Sequence, residues 1–194
     1  MQENYFEEQV FKDKKFRNVT KESCKFVDCS FENCLFEECQ ILNCMFVNCR
    51  FENCTVITLE GKYSEIKNGG FQRCNLIGVH WETIFPTGKY ARPIEQIKSC
   101  CLKYNTFADA DFRKADFSDN IIQESIFDGC DLQESNFQNC QLEKTQFTRC
   151  DIRKSDFRNS SGYMIDIASN KLKQAKFSYP EVVRLLNSLE IKID

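Results

Sequence analysis

"KFVDCSFENCLFEEC", residues 25–39, writes one small pattern three times, with Phe second and Cys fifth in each copy. Marking every fifth residue from Phe6 extends it. The marks fall on Phe6, Phe11, Phe16, Lys21, Phe26, Phe31, Phe36, Ile41, Phe46, Phe51, Val56, Gly61, Ile66, Phe71, Leu76 and Trp81. The rhythm then breaks. It resumes one residue out of phase at Leu102 and runs through Phe107, Phe112, Phe117, Ile122, Phe127 and onward to Phe177. Of 18 Phe only Phe85 is off the marks, where chance would place about one in five on them. The period is therefore a structural signal.

Twelve of the 13 cysteines lie two residues before a mark, and only Cys101 does not. Elsewhere the same slot holds Ala110, Ala115, Ser125, Ser135, Thr145, Ser155, Ser160 or Ala175. An exchange of Cys with Ala and Ser fits a small buried side chain. It does not fit a metal ligand or a bridge partner. Five-residue spacing also lies outside the usual ligand spacing of zinc sites. The sequence thus predicts buried free thiols, no metal and no disulfides.

Period five suits neither standard element. In an α-helix five residues advance 140° net, so the marks share no face. In a flat strand an odd step changes sides each time. The chain must bend once per five residues, keeping each mark and the slot two before it inward. The three remaining positions are rich in charged and amide residues, as outward positions should be. This is an all-β solenoid with Phe stacked on Phe inside.

The segments "ADADF", "KADFS", "CDLQESNFQNC" and "CDIRKSDFRNS" resemble the pentapeptide-repeat family, whose motif is a small residue, Asp or Asn, Leu or Phe, and two polar residues. The resemblance covers 6–81 and 102–177. It implies a right-handed quadrilateral β-helix with four repeats per coil, hence four coils per arm. Eight coils at about 4.8 Å make a rod roughly 38 Å long.

The domain organisation expected is a single domain over 1–194. It comprises a first arm (6–81), a projecting loop (82–99), a second arm (102–177) and a C-terminal helix and tail (178–194). The loop holds two of the three Pro and the off-register Phe85. One reading makes it a partner contact through Ile84, Phe85 and Tyr90; the other folds those apolar residues back on the coil. The stretch 57–70, with Leu59 in a small-residue slot and Gly61 on a mark, is a candidate bulge. "SYPEVVRLLNSLEIKID" opens with a Ser178-x-x-Glu181 capping box and Pro180 in the first turn. Val182, Leu185, Leu186 and Leu189 share a helical face with Val183 beside it. So short a helix must dock, capping the last coil. The segment also resembles the tail of the Qnr and MfpA branch, which implies a homodimer through this end.

Chemistry is sparse. His80 is the single histidine, with no nucleophile elbow or glycine-rich loop to make it catalytic. No catalytic residue, cofactor or enzymatic activity is expected. The net charge of −3 argues against nonspecific nucleic-acid binding. No apolar run approaches a membrane span. "MQENYFEEQV" reads as no signal peptide, so a cytoplasmic, reduced protein is expected. Charge is uneven: residues 26–60 carry six acids against Arg50, residues 104–143 nine acids against Arg113 and Lys114, and residues 144–176 three acids against eight bases.

The Qnr, MfpA and microcin B17 immunity branches are rods that bind DNA gyrase or topoisomerase IV as DNA mimics, protecting it from quinolones or a peptide toxin, or inhibiting it. The chain resembles them in size, in two arms split by a loop, and in its tail. The resemblance implies a type II topoisomerase partner. A 38 Å length of duplex carries about 22 negative charges, against −3 here. Mimicry would have to be local, on a face collecting Asp109, Asp111, Asp116, Asp119, Asp128 and Asp131. The rival expectation is a scaffold for another protein partner.

Overall fold

The computed structural model describes residues 4–85 and 92–189. Among the described residues 14 of the 22 strands are three residues long and centred on a mark. Within each arm the strands pair in parallel at an offset of twenty residues, as Phe6 with Phe26, Phe11 with Phe31 and Phe16 with Phe36, and across the junction the offset is 26, as Leu76 with Leu102. Twenty residues at five per side make four sides. The chain winds about eight turns.

The first face stacks Tyr5–Glu7, Lys25–Val27, Met45–Val47 and Glu65–Lys67. The second stacks Val10–Lys12, Ser30–Glu32, Arg50–Glu52, Gly69–Gln72 and Ile94–Lys98. The third runs from Lys15–Arg17 to Ile121–Gln123. The fourth runs from Thr20–Glu22, through the His80–Thr106 bridge, to Met164–Ile165. Single bridges such as Asp111↔Asp131↔Asp151↔Lys171 carry the ladder through the second arm.

The corner residue, two after each mark, has φ near +50 to +60°: Asp28, Asn33, Asn43, Asn48 and Asn53 are examples. This left-handed conformation makes the bend that period five demands. Asn and Asp tolerate it best among side-chain-bearing residues. Those corners also stack, as Asp28–Asn48–Asn68 at 2.9 and 3.1 Å and Asp119–Asn139–Asn159 at 3.0 and 3.2 Å.

Inside, rings stack from coil to coil. Phe127 lies 4.6 Å from Phe107 and 4.9 Å from Phe147, and Phe137 lies 4.8 Å from both Phe117 and Phe157. All twelve in-frame cysteines are buried and unpaired, and Cys101 is exposed. The small slot is more than small: its side chain donates to the carbonyl 23 residues back. Cys34 reaches Phe11 at 3.3 Å, Cys130 reaches Phe107 at 3.3 Å, Ser64 reaches Ile41 at 3.0 Å, and Thr145 reaches Ile122 at 2.9 Å. Asn120 and Asn170 do the same with their amides at 2.6 and 2.7 Å. A compact donor, thiol, hydroxyl or amide, is what the slot selects; Ala fills it by size alone.

Two stretches differ from expectation. Residues 94–98 are a strand of the second face, with Ile97 paired to Phe71 and fully buried, so the solenoid resumes one repeat before Leu102. The phase slip is a bulge: Gly69 pairs with Ile94 but Gly70 with Gln96, leaving Glu95 extra. Arg50 holds it, donating to Asn68 O at 2.9 Å and pairing with Glu95 at 2.6 Å. The stretch 57–70 does not bulge. Thr55–Lys62 is one eight-residue strand in register with Leu35–Leu42.

Candidate interaction surface

Both ends of the junction loop are tied to the fourth coil. Ile66 N–H donates to Ile84 O at 2.8 Å, and Asn68 and Gly69 N–H donate to Arg92 O and Pro93 O at 2.9 and 3.0 Å. A short 3-10 turn, Trp81–Thr83, starts the excursion. Trp81 is buried between Phe71 and Phe107, and its Nε1 donates to Asn105 Oδ1 at 2.8 Å.

Ile84 and Phe85 are not an exposed contact, which corrects the partner-loop expectation. Ile84 is 4% exposed and fills the space left by Gly61, where a Cβ would stand 2.1 Å from its Cγ2. Gly61 and Ile84 thus exchange roles: the mark has no side chain because the loop supplies one. Phe85 is half-buried, stacked 5.8 Å from Trp81 and edge-on to Phe112 at 5.6 Å. The off-register Phe completes the aromatic column after all. Tyr90 lies outside the described residues. His80 is a rim residue, 3.2 Å from Glu82.

The six aspartates do not gather on one face, a second correction. Asp111 and Asp131 lie on the first face, Asp116 on the second and Asp128 on the fourth; Asp109 and Asp119 are corners. Four of them are paired with cations: Asp111 with Arg113 (2.6 Å), Asp131 with Arg113 (3.7 Å), Asp116 with Lys98 (3.6 Å), and Asp128 with Arg149. The Arg149 guanidinium holds Asp128 below the usual carboxylate range. The carboxylates also build the turns. Asp111, Asp116 and Asp131 accept from the N–H two residues on at 3.1, 3.0 and 3.2 Å. This explains the Asp/Asn of the repeat motif: it closes its own corner.

What the surface does offer is on the third face. One cross-strand row reads Leu35, Thr55, Asn75, Cys101, Ile121; the next includes Ile57 and Ile77. Cys101 and Ile121 are exposed and Leu35, Ile57 and Ile77 half-exposed. Tyr104 stands at the corner, 54% exposed. The third and fourth coils place no charge on this face.

At the C-terminal end, Glu181–Leu189 is a 3-10 helix. The capping box does not close. Ser178 Oγ accepts from Asn159 N–H at 3.1 Å and Glu181 from Gly162 N–H at 2.8 Å, so both tie the helix to the last full coil. Val182, Leu185 and Leu186 are half-buried, Leu185 against the core, while Val183 and Leu189 are exposed. Among the described residues no cluster of His, Cys, Asp and Glu could hold a metal, and no helix is long and apolar enough to cross a membrane.

The fold and its inward phenylalanines define a four-sided parallel β-solenoid built on a five-residue unit. Residues 100–177 match the family model described as pentapeptide repeat region, and residues 6–81 carry the same period in the same stack. In its second arm the chain is thus similar to pentapeptide-repeat proteins. No curated protein matches it. Among solved structures it is similar to trypsin-treated QnrB1, a plasmid-mediated fluoroquinolone resistance protein, at 16% identity and TM-score 0.46, covering 98% of this chain and 100% of that one. It is also similar to HetL of the cyanobacterium Nostoc, involved in heterocyst differentiation regulation, at 10% identity and TM-score 0.40, covering 86% and 85%. A third, Rfr23 of the cyanobacterium Cyanothece, gives 15% identity and TM-score 0.18, covering 70% and 88%.

Proposed function

We propose that this protein is a non-enzymatic scaffold that binds a protein partner along its rigid faces. The observation that carries the reading is the apolar stretch of the third face, free of charge on the third and fourth coils, in a molecule whose aspartates are largely neutralised by neighbouring cations. Apolar flat surface rimmed by polar residues is the chemistry of protein recognition. Fixed β-coils offer it without ordering cost. The test is affinity capture with the wild type and with Ile57→Arg/Ile77→Arg. A partner retained by the first and lost by the second supports the reading; equal capture refutes it.

The second reading names the partner as DNA gyrase or topoisomerase IV, with protection from a quinolone or peptide toxin. Two arms meeting at a loop-bearing coil, with a docked tail, favour it. The dispersed, paired aspartates count against DNA mimicry as its means, so contact would run through shape and the third face. Supercoiling and decatenation with and without a quinolone decide it: no change at micromolar protein leaves the partner elsewhere. Homodimerisation through Val183 and Leu189 belongs to this reading, and Leu189→Asp would abolish a dimer seen by light scattering. A reduced cytoplasmic setting fits the unpaired thiols.

A further inference from the structure

The two arms are packed differently. From Phe107 to Phe157 every phenylalanine on a mark is fully buried. In the first arm Phe26, Phe36 and Phe46 remain partly accessible, although coils lie on both sides of them. They face an internal cavity of about 530 Å³, which reaches from Phe6 and Phe11 at the first coil to Trp81 and Ile84 at the end of the fourth. The sequence gives the cause. Fourth-face marks in the second arm are Phe107, Phe127 and Phe147, whereas those of the first three coils are Lys21, Ile41 and Gly61. One side of the tube is thus under-filled over the first two coils, and in the third Ile84 stands where Gly61 has no side chain.

The lumen's dimensions and chemistry select a ligand. Four coils span three rises, about 14 Å, which corresponds to an extended chain of roughly ten to twelve carbons. The volume divided by that length leaves a bore of about 38 Å², wide enough for one alkyl chain at ordinary carbon contact distances of about 4 Å and too narrow for a folded one. The walls are aromatic and aliphatic. The polar residues are at the rim: Asn4, Thr20, Lys21, Glu22 and Gln40. Lys21 is the only charged residue on a mark in the first arm; it pairs in register with Ile41 beneath it and makes no ion pair with any described residue. Glu22, its neighbour, flanks the mark and lines the same rim. A deep apolar bore with a few polar groups at one end is the build of a small-molecule site.

We infer that the first arm binds one linear amphiphile with an anionic head, a medium-chain carboxylate, its tail along the lumen and its carboxylate at Lys21. The single tryptophan makes this directly readable, because Trp81 lines the floor. Titration of the full chain with 11-bromoundecanoate should quench Trp81 by more than half at one equivalent bound, and plain dodecanoate should reverse it. Lys21→Glu, at an exposed position, should weaken binding at least tenfold; Ile41→Trp, plugging the bore, should abolish dodecanoate binding by calorimetry. Dodecylamine should bind at least tenfold more weakly than dodecanoate. No quenching at millimolar ligand overturns the proposal, as does equal binding of the amine. So does a dimer, seen by sedimentation, that Lys21→Glu dissociates in a protein that takes up no ligand, since a second copy would then close the end. If Ile41→Trp does not fold, the Lys21 variant and the amine comparison still decide.

Discussion

Phe127→Ala tests how the aromatic column holds the rod. The ring is fully buried, stacked at 4.6 Å on Phe107 and at 4.9 Å on Phe147, and edge-on to Phe117 and Phe137 at 5.8 and 5.6 Å. Truncating a buried Phe costs about 3–5 kcal/mol, cavity included. Because each coil of a solenoid touches only its neighbours, the substitution weakens the interfaces on both sides. We take about 4 kcal/mol, a large share of the roughly 5–15 kcal/mol that domains possess. With an m-value of about 3 kcal/mol/M the urea midpoint falls by about 1.3 M. Phe6 is the internal control. It is half-buried at the end of the stack, with one stacked neighbour, Phe26 at 4.9 Å, and one edge-on neighbour, Phe11 at 5.7 Å, so Phe6→Ala should cost about 1 kcal/mol, the low end for a partly exposed ring. Urea unfolding followed by far-ultraviolet circular dichroism compares them. Equal losses at the two positions would refute the stacking account.

Two further outcomes follow from local geometry. Gly61→Ala should destabilise by about 1–3 kcal/mol through overpacking, since its Cβ would overlap Ile84. The pair Gly61→Ala/Ile84→Ala should recover at least about 1 kcal/mol relative to the sum of the single losses, and strict additivity in a double-mutant cycle would show the two are independent. Burial pushes the Cys49 thiol up to about 11 and the Cys140 thiol up to about 12. An unfolded thiol titrates near 8.5, so above that pH the folded state holds more protons than the unfolded one and stability must fall. The contribution is whole below about 8.5 and disappears as pH rises through about 11 and 12. Cys49→Ala/Cys140→Ala, acceptable because Ala fills the same slot elsewhere, should flatten the decline in melting temperature above pH 9; an identical decline would assign it to other groups.

The period made the inward positions legible because each inward residue obeys one constraint, that of a ring or branched chain against its copy twenty residues away. Phe31, Phe51 and Phe71 follow it to the ångström scale, at 4.8 and 4.7 Å. The cysteines were legible as buried and small but not as donors, since that role appears only when the carbonyl 23 residues back is brought over the slot. Ser, Thr and Asn in the slot were the available signal. Ile97 was hidden because a one-residue bulge at Glu95 shifts the frame beside Pro93. Ile84 was misplaced for a related reason: Gly61 on a mark and an apolar residue in the loop are complementary only in space. The aspartates were misread as a surface because composition counts charge without showing where Arg113, Lys98 and Arg149 stand. The lumen follows from two weak marks, Lys21 and Ile41, each unremarkable alone.

Counting thiols tests the central idea, a tube that turns a corner every five residues and seals its sulfur inside. Without reductant, a thiol reagent should label one group rapidly in the native protein, Cys101, and all 13 in denaturant. Fewer than 13 in denaturant would mean cystines. Several fast thiols in the native state, surviving Cys101→Ser, would mean that the row from Cys24 to Cys54 faces water, and the tube would be wrong.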